Sequence, residues 1–91
     1  MKYDIILKNE TEVEIDFILF SKDTQNKYNS KVLSKNKKNI PYEEKGFVGF
    51  SEMEFFLNGN LLEKVQVYGG NIIKISKKDL EFHIEISYPD F

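Results

Sequence analysis

Apolar residues recur at every second position over most of the chain, which is the period of a half-buried β-strand. In EVEIDFILF (12–20), Val13, Ile15, Phe17 and Leu19 fall on one face and Glu12, Glu14 and Asp16 on the other, before Ile18 and Phe20 break the alternation. The segment KYDIILK (2–8) precedes it across a short Asn-Glu-Thr turn, so the two are expected to pair as an antiparallel hairpin. A weaker strand, KYNSKVL, follows at 27–33. Pro41 then marks Ile40-Pro41-Tyr42 as an edge or a strand start, because proline gives no ladder hydrogen bond.

The second half alternates more regularly. Asn58-Gly59 separates two strand-like runs and is a strong signal for a two-residue hairpin. Gly69-Gly70 divides VQVY from NIIKI and supplies the positive φ that a tight primed turn needs. Ser76-Lys77-Lys78-Asp79 leads to LEFHIEIS (80–87), with Leu80, Phe82, Ile84 and Ile86 on one face and Glu81, His83 and Glu85 on the other. Residues 52–87 therefore read as a meander of hairpins. One segment supports two readings. Ser51-x-x-Glu54 resembles a capping box and Met53, Phe56 and Leu57 would share a helical face, whereas Met53, Phe55 and Leu57 suit a strand. Two helical turns have little stability of their own, so the strand is favoured.

The expected fold is all-β: a small antiparallel β-sandwich or barrel of seven or eight short strands with a C-terminal hairpin meander, in a single domain spanning 1–91. The expected core is Ile5, Leu7, Ile15, Phe17, Leu19, Phe55, Leu57, Val65, Val67, Ile73, Ile75, Phe82, Ile84 and Ile86. That leaves Phe20, Val48, Phe50, Phe56, Tyr68 and Ile72 facing the other way, either as core of a second sheet or as a contact surface.

Composition narrows the chemistry. Cys, Trp, Ala and Arg are all absent. Without Cys there is no disulfide framework, thiolate nucleophile or thiolate zinc site. Without Arg there is no guanidinium fork for phosphate or guanine. The bias toward Lys, Asn, Ile and Glu fits an AT-rich coding sequence such as a phage gene. The first ten residues hold a run of three apolar side chains, too short for a signal peptide, and no segment approaches the about 20 apolar residues of a membrane span. A cytoplasmic location is expected, with no membrane partner.

Charge is distributed unevenly. Residues 21–40 hold six Lys against Asp23, a local charge of +5, while the remaining seven Lys and fourteen acids give −7. The Lys- and Tyr-rich stretch 27–42, with Lys31, Lys35, Lys37 and Lys38, suits either an anion-binding arm or an edge kept soluble by lysine. Glu10, Glu12, Glu14 and Asp16 form an alternating acidic ladder. A linear ladder does not bring together the 6–8 oxygens a calcium ion takes, so docking on a basic surface is the better use for it. Gly46-Phe47-Val48-Gly49-Phe50 is a place where another backbone can approach closely. His83, the one histidine, lies between Glu81 and Glu85, with no second His and no nucleophile motif to make a metal or catalytic set.

These residues point away from an enzyme, with no catalytic residues, metal or cofactor expected. They point toward a small protein-binding module: an inhibitor, immunity or accessory protein that occludes or bridges a macromolecule. The expected contacts are Glu10, Glu12, Glu14, Asp16, Phe47, Phe50, Phe56, Lys31, Lys35, Lys37 and Lys38. The partner is another protein or a second copy in a homodimer. Nucleic-acid binding through 27–42 is the alternative, and carbohydrate binding on aromatic rings is weaker because Trp is absent.

Overall fold

A computed structural model describes residues 3–88. Eight strands are present: β1 (Ile5–Asn9), β2 (Ile15–Phe20), β3 (Lys27–Val32), β4 (Lys37–Ile40), β5 (Ser51–Leu57), β6 (Asn60–Val67), β7 (Ile72–Lys78) and β8 (Glu81–Ser87). They form two four-stranded sheets, ordered β4-β1-β7-β8 and β3-β2-β5-β6. Each sheet keeps two open edges, so the fold is a sandwich and not a closed barrel. Neighbours are antiparallel except β1 and β7, which run parallel. Segment 51–57 is a strand, with Met53 and Phe55 fully buried. Among the described residues, no helix is long and apolar enough to cross a membrane.

The core lies between the sheets. Ile5, Leu7, Ile73 and Ile75 of the first sheet meet Ile15, Phe17, Leu19, Met53 and Phe55 of the second, all essentially without solvent contact. Leu57, Val65, Phe82, Ile84 and Ile86 pack against this cluster while remaining partly exposed. Val32, Ile40, Tyr42 and Phe47 also join the buried set, although their flanking residues do not alternate cleanly enough to announce it. In β6 the pairing with β5 shifts register between Phe55 and Phe56. This irregularity lets Leu62 reach the core while the neighbouring Glu63 stays exposed.

Two expected hairpins are instead crossings between sheets. β1 and β2 do not pair: β1 lies between β4 and β7, and β2 between β3 and β5. Both strands have an apolar face, and those faces meet across the sandwich. Period-two alternation is identical whether two strands share a sheet or face each other, so it could not separate the cases. The crossing is built by Asn9 and Thr11, both buried. Asn9 Nδ2 donates to the carbonyls of Val13 (2.8 Å) and Val32 (3.1 Å), and its Oδ1 accepts from the Thr11 amide (2.9 Å). The Thr11 hydroxyl shares its proton between Asn9 Oδ1 (2.7 Å) and Val13 O (3.0 Å).

Gly69-Gly70 is the second crossing. Gly70 has φ +98°, and the Asn71 amide donates to Tyr68 O at 3.2 Å, giving a turn with positive φ at its third position alone. That is a type II pattern, which does not fold a strand back on its neighbour as a primed turn does. The chain passes from β6 into β7, and Gly70 N donates to Asp4 O (3.1 Å) to begin the parallel ladder with β1. The meander therefore divides into two true hairpins in different sheets, β5–β6 and β7–β8. Each has two adjacent positive-φ residues at its turn, Asn58-Gly59 and Asp79-Leu80. Leu80 lies in that turn and not in the strand.

Asn9→Ala strips donors from Val13 O and Val32 O and an acceptor from the Thr11 amide. Urea unfolding should show a loss of at least about 2 kcal/mol, whereas Glu12→Ala in the same crossing should stay within about 0.5 kcal/mol.

Candidate interaction surface

The two charged features seen in the sequence are placed against each other. Glu10, Glu12 and Glu14 do not lie on a strand: they occupy the crossing between β1 and β2, and Asp16 alone sits in β2. No ladder of evenly spaced carboxylates exists. Lys31 Nζ lies 2.9 Å from Glu14 and stands opposite Asp16 across the β2–β3 ladder. Lys35 Nζ lies 3.3 Å from Glu12 and donates to Glu10 O at 2.8 Å. Hydrogen bonding to Glu14 raises the Lys31 pKa. Such exposed pairs add little stability.

The basic stretch also divides between two edges. β3 is an edge of the second sheet and β4 an edge of the first. Lys37 is exposed on β4, while Lys38 stands opposite Leu7 on the core-facing side and is half-buried. An inward-pointing charge at an edge opposes pairing with another chain.

Phe56 lies half-buried on the outer face of the second sheet, opposite Asp16 and near Ile18. It shares a shallow, open hollow with Asp16, Asn29, Lys31 and Gly59. Phe47 is a correction of another kind. It is fully buried and stacks on Tyr42, ring centres 5.4 Å apart and 25° between planes. It cannot touch a partner, and its part is to hold the segment on which it sits.

That segment, 41–50, follows β4 as a tight turn closed by Lys45 N to Pro41 O (2.9 Å), Gly46 N to Glu43 O (3.0 Å) and Phe47 N to Tyr42 O (3.1 Å). Gly46 takes φ +90°, and a Cβ there would come within 2.7 Å of Asn26 Nδ2, which itself donates to Lys45 O at 2.6 Å. Lys45 Nζ lies 4.8 Å from the Tyr28 ring centre, tying the turn to β3. Tyr42 completes the anchoring. Its hydroxyl donates to Gly49 O at 2.7 Å and, with that proton committed, accepts from Ser51 Oγ at 2.7 Å.

The chain so held displays Val48 (65% exposed) and Phe50 (61%). Phe50 meets Tyr68 edge to face at 5.3 Å, and Tyr68 stacks on Tyr88 at 5.6 Å. Three separate parts of the sequence, before β5, after β6 and after β8, thus build one exposed aromatic row at one end of the sandwich. The hollows beside it are lined by Lys22, Asp23 and Glu52 on one side and Tyr3, Glu43 and Gly69 on the other. Glu52 pairs with Lys22 (2.8 Å) and Lys64 (3.2 Å), and those hydrogen bonds hold its carboxyl below the usual range. Val48, Phe50 and Tyr68 stand among the apolar positions left over by alternation. Tyr88 escapes that bookkeeping, because it follows β8 and its nearness to Tyr68 is a product of the fold.

His83 is exposed on β8 opposite Ser76. Among the described residues, no three His, Cys, Asp or Glu side chains converge on a point that could hold a metal ion. Compared with protein-family models, curated proteins and solved structures, the chain matches none.

Tyr42→Phe removes the donor to Gly49 O and the acceptor for Ser51 Oγ, and should cost about 1–3 kcal/mol at neutral pH. Burial raises the Tyr42 phenol above its ordinary value of 10.0. The neutral phenol is therefore favoured by folding, and its contribution is whole below about pH 10 and lost as pH rises further. Stability measured against pH should fall more steeply in this alkaline range for the parent than for the variant.

Proposed function

We propose that this chain is a small non-enzymatic binding module that docks another protein on its aromatic end, and so occludes or bridges it. The observation that carries the reading is the Phe50–Tyr68–Tyr88 row, set at the surface, with Phe50 held by the Tyr42 hydrogen bonds to Gly49 and Ser51 on either side of it. Aromatic side chains bring large contact area with few rotors to freeze, and such residues dominate protein interfaces. A row already held in place loses less conformational freedom on binding than a mobile loop.

Charge favours a protein over a nucleic acid. Lys22, Asp23, Glu43 and Glu52 line the flanking hollows, and with Lys64 paired to Glu52 these charges sum to −1, a mildly acidic rim suited to a partner with an apolar centre and basic surroundings. Phosphates would be repelled there. Of the basic stretch, Lys31 and Lys35 are already turned toward acids. An inhibitor, immunity or accessory role, phage-borne and acting in the reducing cytoplasm, suits a domain of this size without cysteine.

Immobilised parent protein should retain a protein partner from host lysate at high salt and after nuclease treatment. Phe50→Ala should weaken that capture by roughly 30-fold, as a central interface aromatic does, with unfolding unchanged, while a Lys37→Glu/Lys38→Glu double variant captures normally. Equal capture by Phe50→Ala, or capture abolished by nuclease, would contradict the proposal.

A further inference from the structure

The four sheet edges are not equally protected. β3 carries Lys27 and Lys31, and β4 is a four-residue strand with Lys37 and the inward-leaning Lys38. β6 is interrupted by its register shift. β8 is seven residues long, pairs with β7 in unbroken register, and contains neither lysine nor proline. Its core-facing Phe82, Ile84 and Ile86 are only partly buried. An edge of that length, regularity and apolar content is the kind that pairs with another strand.

The geometry of the β7–β8 turn identifies which backbone groups are free. Asp79 and Leu80 both have positive φ (51° and 70°), the signature of a two-residue type I′ hairpin, and Lys78 stands opposite Glu81. In such a hairpin the pair flanking the turn exchanges hydrogen bonds, and bonded pairs then alternate along the ladder. Glu81, His83, Glu85 and Ser87 therefore direct their amides and carbonyls to β7. Phe82, Ile84 and Ile86 direct theirs to the open edge.

We propose that β8 pairs antiparallel with β8 of a second copy about a two-fold axis at Ile84, joining two four-stranded sheets into one continuous sheet. A two-fold axis that keeps both core-facing rows on the same side can be centred on His83, Ile84 or Glu85. Centring on His83 sets Glu81 against Glu85, and centring on Glu85 sets that carboxylate against itself. Centring on Ile84 opposes His83 to Glu85 twice, Glu81 to Ser87, Phe82 to Ile86 and Ile84 to its copy. It also brings Leu80, 88% exposed, beside Tyr88, 62% exposed. This register gives the free backbone groups of all three residues a partner. It also covers the apolar row and places no like charges opposite one another. The seam meets the aromatic row proposed above at Tyr88 but includes neither Val48 nor Phe50, so Phe50→Ala and His83→Glu test the two proposals separately.

The natural chain lacks cysteine, so introduced thiols report register cleanly. Sedimentation of the full chain across the micromolar range should show a monomer–dimer equilibrium. His83 and Glu85 would form a non-hydrogen-bonded pair, with Cα atoms about 4.5 Å apart and within disulfide reach. Mixed H83C and E85C proteins should therefore form the heterodisulfide under mild oxidation, in preference to either homodisulfide. His83→Glu, an exposed change, should weaken the dimer by roughly tenfold by opposing carboxylates at two places. A monomer at every concentration, a predominant H83C homodisulfide, or a dimer indifferent to His83→Glu would each overturn the proposal.

Discussion

Everything in this molecule depends on two apolar rows meeting face to face. Ile5, Leu7, Ile73 and Ile75 cannot be covered within their own sheet, nor can Ile15, Phe17, Leu19, Met53 and Phe55. Burying each such side chain contributes about 1.5–3 kcal/mol, far more than any ion pair on this surface. The chain accordingly crosses between sheets wherever the rows must be brought opposite. Its least ordinary local chemistry is found at two of those crossings. Asn9 and Thr11 satisfy the backbone that turns from β1 to β2, and Gly70 and Asn71 do the same from β6 to β7.

The crossings also divide the surface. At one end of the sandwich, acids from the β1–β2 crossing meet lysines from β3 and the β3–β4 turn, and the charges largely satisfy each other. At the other end, the segment 41–50 is pinned by buried rings and hydrogen bonds, and it presents Val48 and Phe50 alongside the exposed charges of Glu43, Glu44 and Lys45. The same core that fixes Tyr42 and Phe47 from within thus determines what Val48 and Phe50 present outside. An open end with rigid aromatic contacts and an acidic rim is the basis for the binding role proposed for this protein.

Strand content and much of the core were legible because alternation is a local property: Ile15-Phe17-Leu19 and Ile73-Ile75 announce their buried face without reference to the rest of the chain. The Asn58-Gly59 hairpin was legible for the same reason, since its backbone requirement is met within the turn. Strand partnership was not legible. Whether β1 pairs with β2 or packs across from it depends on β7, which arrives more than sixty residues later and takes the place beside β1. The candidate site shows the same division. The surplus of Val48, Phe50 and Tyr68 could be read from the pattern, but the burial of Phe47 could not, because it follows from a stacking contact with Tyr42 inside a loop. The acidic and basic tracts were each visible, and their mutual pairing depended on tertiary structure.

The aromatic end depends on segment 41–50 being rigid although it has no regular secondary structure. Amide hydrogen exchange measures this directly at Gly46 and Phe47, whose amides donate to Glu43 O and Tyr42 O. If the segment is held by the core, both amides should exchange at least about a hundredfold more slowly than an unprotected chain, and the Phe47 amide should approach the rates of the central strands. Exchange at the rate of a freely opening loop would contradict the account, because the aromatic end would then have no fixed shape to offer a partner.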